Sequence, residues 1–234
     1  MHPLFLYKMA EPDLISFLEG FITEERARLF NRIVGQRTRY ITVLLEDIYQ
    51  SQNASAVLRT CDCFGIQDVH IVENSNEYTI NPDVSLGSDK WLNMYRYNSE
   101  KNNTLTAYRK LREKGYRIVA TGPHNNDVML EDFDISRGKA AFVFGTELRG
   151  LSNIAIENAD EYVKIPMYGF TESYNISVSA AIILSHITSK LFRSDIDWSL
   201  SVKERADLKL KWLRETIKSA EQLERQFLSQ NNKK

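Results

Sequence analysis

Short apolar runs that alternate with helical patterns constrain this chain more than any other feature. Residues 40–45 (Tyr-Ile-Thr-Val-Leu-Leu) read as a buried strand, and residues 68–72, 116–121, 140–144 and 162–165 as four more. Between them lie helical patterns over 53–64, ended by Gly65, and 104–114, ended by Gly115. A short helix starts at Ser152, and a long one runs from Asn175 to residue 192. Strands rich in β-branched and apolar residues, spaced by helices, predict an α/β fold with a mostly parallel sheet covered on both faces.

The flanks read differently. Residues 1–39 carry two helical patterns, near 13–21 and 24–34, the second with Thr23 as its N-cap. Residues 194–234 read as one long helix over about 202–228, with an apolar stripe at Ala206, Leu210, Leu213, Ile217, Ala220 and Phe227 that Glu224 interrupts. The expected organisation is an N-terminal helical extension (1–39), a central domain (40–193) and a C-terminal helical extension (194–234). A stripe this narrow suits packing within the domain or a subunit contact equally.

Composition excludes several classes. With 43% hydrophobic and 26% charged residues in 234, the chain is an ordinary globular one. Its opening apolar run is too short for a signal peptide, and no stretch approaches the roughly 18 apolar residues of a membrane span. Cys61 and Cys63 stand one residue apart in a helical pattern, which gives no disulfide framework; a reducing cytoplasm is the expected location, with no membrane partner. The four histidines (His2, His70, His124, His186) have no metal-ligand spacing, so no metal is expected. Phosphate-cradling Gly-rich fingerprints and a Gly-x-Ser-x-Gly elbow are missing.

The formal net charge of −1 hides an uneven distribution. Residues 23–39 hold five arginines (Arg26, Arg28, Arg32, Arg37, Arg39) against two glutamates, and residues 203–234 hold nine basic against five acidic side chains. The remainder of the chain is therefore acidic. A solvated helix face explains either basic end by itself; phosphate binding explains both.

Three segments carry the chemistry. The first, Asn53-Ala-Ser-Ala-Val-Leu-Arg59-Thr-Cys-Asp-Cys-Phe-Gly65, places Asn53 as an N-cap and Ala54, Val57, Leu58, Cys61 and Phe64 on a buried stripe. Arg59 lies opposite that stripe, free of any core duty; a solvated surface arginine is the plain alternative. The second, Phe144-Gly145-Thr146-Glu147-Leu148-Arg149-Gly150-Leu151-Ser152, is a loop off an apolar strand whose glycines permit close backbone approach to a ligand. The third runs from Ile165 through Pro166, Ser173, Tyr174 and Asn175 into a helix apolar on nearly all sides. Capping needs only one of Ser173 and Asn175.

Together and in this order, the segments closely resemble the three motifs of the SpoU/TrmH branch of SPOUT RNA 2′-O-methyltransferases. The resemblance spans residues 40 to 192, and Gly87-Ser88-Asp89-Lys90-Trp91 is similar to a further family segment. It implies a C-terminal deep trefoil knot and a bent S-adenosylmethionine held mostly by backbone groups, with Thr121, Gly145, Ile165 and Tyr174 lining the pocket. Tyr174 departs from the leucine usual there. It also implies a homodimer acting on RNA, with Arg59 as the catalytic group and Asn53, Glu147, Ser173 and Asn175 fixing the arginine, the cofactor and the target nucleotide. Lys90, Arg26, Arg28 and Arg32 would contact phosphates. Only about 39 residues precede the first strand, which favours a tRNA D-loop guanosine as substrate over ribosomal RNA. A non-catalytic RNA-binding member is a further alternative, against which the retention of all five motif residues speaks.

Overall fold

The computed structural model describes residues 11–122, 128–146 and 149–231. In chain order the helices and strands are α1 (Glu11–Glu19), α2 (Glu24–Val34), β1 (Ile41–Glu46), α3 (Ser51–Cys63), β2 (Asp68–Val72), α4 (Pro82–Ser85), β3 (Asn93–Tyr97) and α5 (Asn103–Glu113). There follow β4 (Arg117–Thr121), β5 (Val128–Met129), β6 (Ala140–Phe144), α6 (Asn153–Glu157), β7 (Glu161–Lys164), α7 (Ile176–Phe192), α8 (Val202–Thr216) and α9 (Ala220–Asn231). They divide into two compact units: Thr38–Trp198, and the described residues up to Arg37 together with those from Ser199 on.

The larger unit is built on a seven-stranded sheet of order β3-β2-β1-β6-β4-β7-β5, in which every pairing is parallel. The two central strands explain the apolar runs. In β6, Ala140, Phe142 and Phe144 pack with Val57, Leu58 and Ile183 on one face, while Ala141 and Val143 pack with Tyr108, Leu111 and Ala155 on the other. Strands buried on both sides need apolar residues at every position, which is why their sequences do not alternate. Helices α3 and α7 cover the first face, α5 and α6 the second.

Two strands were not expected from the sequence. β3 reads Asn-Met-Tyr-Arg-Tyr and lies at an edge, half-buried, so its polar residues carry no buried-strand signal. β5 is a two-residue strand at the opposite edge. At the start of α3, the residue in the N-cap position is Gln50, which places Asn53 inside the first turn and corrects the capping role expected for it. Ser152 and Asn175 do cap α6 and α7, accepting from the amides of Ala155 and Ser177.

In the smaller unit the single long C-terminal helix is corrected to two. The chain leaves helical geometry at Ile217 (φ −93°, ψ 110°), and α9 begins three residues later. The break turns Glu224 from an interruption of the stripe into a partner: its side chain, 11% exposed, takes two bonds from Arg214 at 2.6 and 3.0 Å. Phe30 meets Trp212 edge-on, and the Arg37 guanidinium lies 5.4 Å from the centre of the same indole.

Candidate active site

The larger unit has a cavity of about 370 Å³ where β4, β6 and β7 end. Its wall is drawn from three loops. Thr121, at the end of β4, donates its hydroxyl to the carbonyl of Val143 at 2.8 Å, which ties the first two strand ends together. Gly145 follows β6, and Ile165, Ser173 and Tyr174 come from the segment between β7 and α7. Thus the four residues expected to hold a cofactor, with Ser173, lie on one cavity wall. Phe144, Val163, Ile176 and Ile183 make its floor apolar.

The loop after β6 is pinched. Thr146 and Gly150 exchange backbone hydrogen bonds, both 2.9 Å, and Gly150 sits at φ +65°. A Cβ on Gly145 would collide with the Gly150 carbonyl and the Leu151 nitrogen, so position 145 admits no side chain. The glycine that the sequence offers as a close-approach residue is required by the loop closing on itself. Glu147 lies outside the described residues.

Asn53 and Asn175, 122 residues apart, meet beside this wall. Asn175 donates its side-chain amide to Asn53 Oδ1 at 3.1 Å while its own oxygen caps α7 through Ser177. Asn53 in turn donates to Gln50 Oε1 at 3.0 Å. Gln50 and Ser177 were not singled out in the sequence; each is recognisable only once α3 and α7 are seen side by side. The same holds for Gly122, Arg149, Lys164 and Glu172, which join the cavity wall as immediate neighbours of motif residues.

Arg59 is not part of that wall. It is exposed on the outer face of α3, away from the buried positions Ala54, Val57, Leu58 and Cys61. Lys90 is exposed on a short 3₁₀ turn, Ser88–Lys90. Of the five N-terminal arginines, Arg26, Arg28 and Arg32 are exposed, whereas Arg37 is buried over Trp212 and Arg39 pairs with Asp68 at 3.1 Å. The basic cluster available to a polyanion is therefore smaller than its sequence count. Among the described residues no group of three or more His, Cys, Asp or Glu could hold a metal ion, and no helix is long and apolar enough to cross a membrane.

Comparison with known proteins adds independent findings. The model of the SpoU rRNA methylase family matches residues 40–185. The chain is 45% identical over 210 residues to tRNA (guanosine(18)-2′-O)-methyltransferase of Borreliella burgdorferi, covering 90% of this chain and 94% of that one. It is 35% identical over 162 residues to a protein of the same description from Thermus thermophilus, covering 69% of this chain and 81% of the relative. A solved structure, the A. aeolicus TrmH/SpoU tRNA modifying enzyme, superposes with a TM-score of 0.73 at 28% identity, over 83% of this chain and 98% of that one. The SpoU methyltransferase AviRb from Streptomyces viridochromogenes, in complex with AdoMet, shares the fold with a TM-score of 0.57 at 22% identity, over 70% of this chain and 62% of that one. On the family match across residues 40–185, this chain belongs to the SpoU rRNA methylase family.

Proposed function

We propose that this chain transfers a methyl group from S-adenosylmethionine to the ribose 2′-hydroxyl of guanosine 18 in the D-loop of tRNA. One observation carries the proposal: segments far apart in sequence converge on a single cavity lined by Thr121, Gly145, Ile165, Ser173 and Tyr174, with the Asn53–Asn175 pair at its edge. The Borreliella and Thermus relatives, both named for methylation of guanosine 18 of tRNA, support the substrate.

The cavity suits the cofactor. Its volume falls within the range of small-molecule sites, and its floor is apolar with polar groups at the rim. The side-chain-free position at Gly145 leaves backbone groups as the nearest contacts. Bound there, S-adenosylmethionine would supply an electrophilic methyl group on a sulfonium and leave as S-adenosylhomocysteine.

The chain's own residues then prepare the nucleophile. A ribose hydroxyl attacks poorly until its proton is withdrawn or the oxyanion forming on it is stabilised. A guanidinium stays charged well above neutral pH, so Arg59 serves as an electrostatic activator of the 2′-oxygen and does not accept its proton, which would leave to solvent water. Asn53, anchored through Asn175 and Gln50, orients the ribose or the arginine, with Glu147 and Ser173 completing the set. Arg59 faces outward on α3 in the protomer, so a homodimer belongs to the proposal: the arginine of one copy serves the cavity of the other. The proposal also includes a C-terminal trefoil knot, action in the cytoplasm, and phosphate contacts from Lys90, Arg26, Arg28 and Arg32, all four of which are exposed.

Ribosomal RNA is the second reading, favoured by the wording of the matched family. Transfer of labelled methyl to unmodified tRNA and rRNA transcripts, with mapping of the modified ribose, separates the two. Label at guanosine 18 of tRNA is expected. Label on rRNA alone selects the second reading, and no transfer to either refutes the enzymatic proposal.

A further inference from the structure

Between β7 and α7 the chain runs Met167-Tyr168-Gly169-Phe170-Thr171-Glu172-Ser173-Tyr174. Tyr168 is 95% exposed and Phe170 fully exposed, and neither makes a hydrogen bond or ring contact with a described residue. Burying such a ring is worth about 1.5–3 kcal/mol, so two bare rings within three residues represent stabilisation the protomer leaves unused. A Cβ on Gly169 between them would meet open space, so no described residue packs down on that point of the loop tip.

Their position is informative. Met167 on one side and Glu172, Ser173 and Tyr174 on the other all line the cavity, so the two rings stand on its rim. Resting on the proposal that this cavity methylates an RNA ribose, we infer that Tyr168 and Phe170 form a stacking platform for the base at the target nucleotide. A ribose entering a concave site carries its base with it, and that base leaves the stack of its neighbours. An exposed aromatic face replaces the lost stacking and accepts any base. Arg149 and Lys164, on the same cavity wall, offer the positive charge that an accompanying phosphate needs. The second copy proposed to bring its Arg59 to this cavity fits the rings themselves less well: Thr171 and Glu172, next to them, are exposed and polar, and the cores of protein interfaces are depleted in charge.

The test uses the full-length protein and an unmodified tRNA transcript, with equilibrium binding measured across a salt series. A Tyr168→Leu/Phe170→Leu variant keeps apolar bulk but removes the π faces, and its affinity is expected to fall about tenfold. The slope of log Kd against log salt stays as in the parent, because no phosphate contact is lost. A Tyr168→Phe/Phe170→Tyr variant restores parental affinity, and cofactor binding by calorimetry is the same in all three proteins. Parental RNA affinity in the leucine variant, a flattened salt slope, or a changed oligomeric state by light scattering would overturn the inference, the last by assigning the rings to a subunit contact. If the parent binds tRNA but transfers no methyl group, and the leucine variant still loses affinity, the enzymatic proposal fails while the platform stands.

Discussion

The two halves of one sheet edge are finished in opposite ways. Where β1 and β2 end, every carboxylate is clamped. Glu46 accepts from the Thr104 hydroxyl at 2.6 Å and from the amide and hydroxyl of Ser152 at 2.9 and 2.8 Å. Asp47, in left-handed geometry at φ 55°, takes three successive amides, those of Asn74, Ser75 and Asn76, on a single oxygen. Glu73 holds Arg96, the Tyr78 amide and Asn98. Where β4, β6 and β7 end, the chain instead leaves a cavity, a pinched glycine loop and two bare aromatic rings. The contrast teaches where the fold leaves room: one half commits its polar groups to internal bonds, and the other keeps an open cavity in which the proposed cofactor would bind.

The largest expected effect breaks the open half. Gly145→Ala forces the collision with Gly150 and Leu151, and calorimetry should show cofactor affinity falling by about a hundredfold or more. Glu46→Ala breaks the closed half. It strands the buried Thr104 hydroxyl without its acceptor and releases the exposed Ser152, and should cost about 2 kcal/mol in urea denaturation.

Acid should also act on the closed half. Burial, reinforced by Lys114, holds His70 down to about 3, where its ring bonds the Tyr97 hydroxyl at 2.7 Å. The unfolded chain therefore takes up a proton near the ordinary histidine value of 6.5 that the folded chain refuses. Stability is full above that value and falls as pH drops from 6.5 toward 3, by up to roughly 1.4 kcal/mol per pH unit. Denaturant midpoints of the parent and His70→Gln between pH 8 and 5 check this: the variant is less stable at pH 8 but has the flatter profile.

The smallest effect on stability sharpens the comparison. Asn175→Ser keeps a capping oxygen for α7 but removes the donor to Asn53, so stability should change by less than about 0.5 kcal/mol. Methyl transfer should nevertheless drop about tenfold, with the loss in kcat and cofactor affinity preserved. An equal loss in both measures would return Asn175 to a capping role.

These contrasts also mark what the sequence could reveal. β6 was legible because burial on both faces demands five apolar residues in a row, and Ser152 because caps have a local signature; that signature left Ser173 and Asn175 as equal candidates, and the fold gives the cap to Asn175. β3 was not, since its pairing with β2 is imposed by neighbours: Gln67 donates to the Trp91 carbonyl and accepts, through its own carbonyl, from the Asn93 amide. The break at Ile217 was missed because periodicity alone does not reveal that Glu224 has Arg214 to fold back on. In the site, motif order located the cavity residues, whereas the Gln50–Asn53–Asn175 chain depends on two helices meeting across 122 residues. Arg59 is the reverse case: its outward position was legible from the helical wheel, and the use proposed for it lies beyond a single protomer.

That last point admits a direct measurement. Arg59→Ala and Gly145→Ala are each expected to be inactive in labelled-methyl transfer to tRNA, the first with its fold and cofactor affinity intact. Co-expressed, they are expected to form mixed dimers in which a sound Arg59 meets a sound cavity on the other subunit, and activity should return to about a quarter of the parental level. Full transfer by Arg59→Ala alone, or no recovery in a mixture shown to contain mixed dimers, would contradict the account.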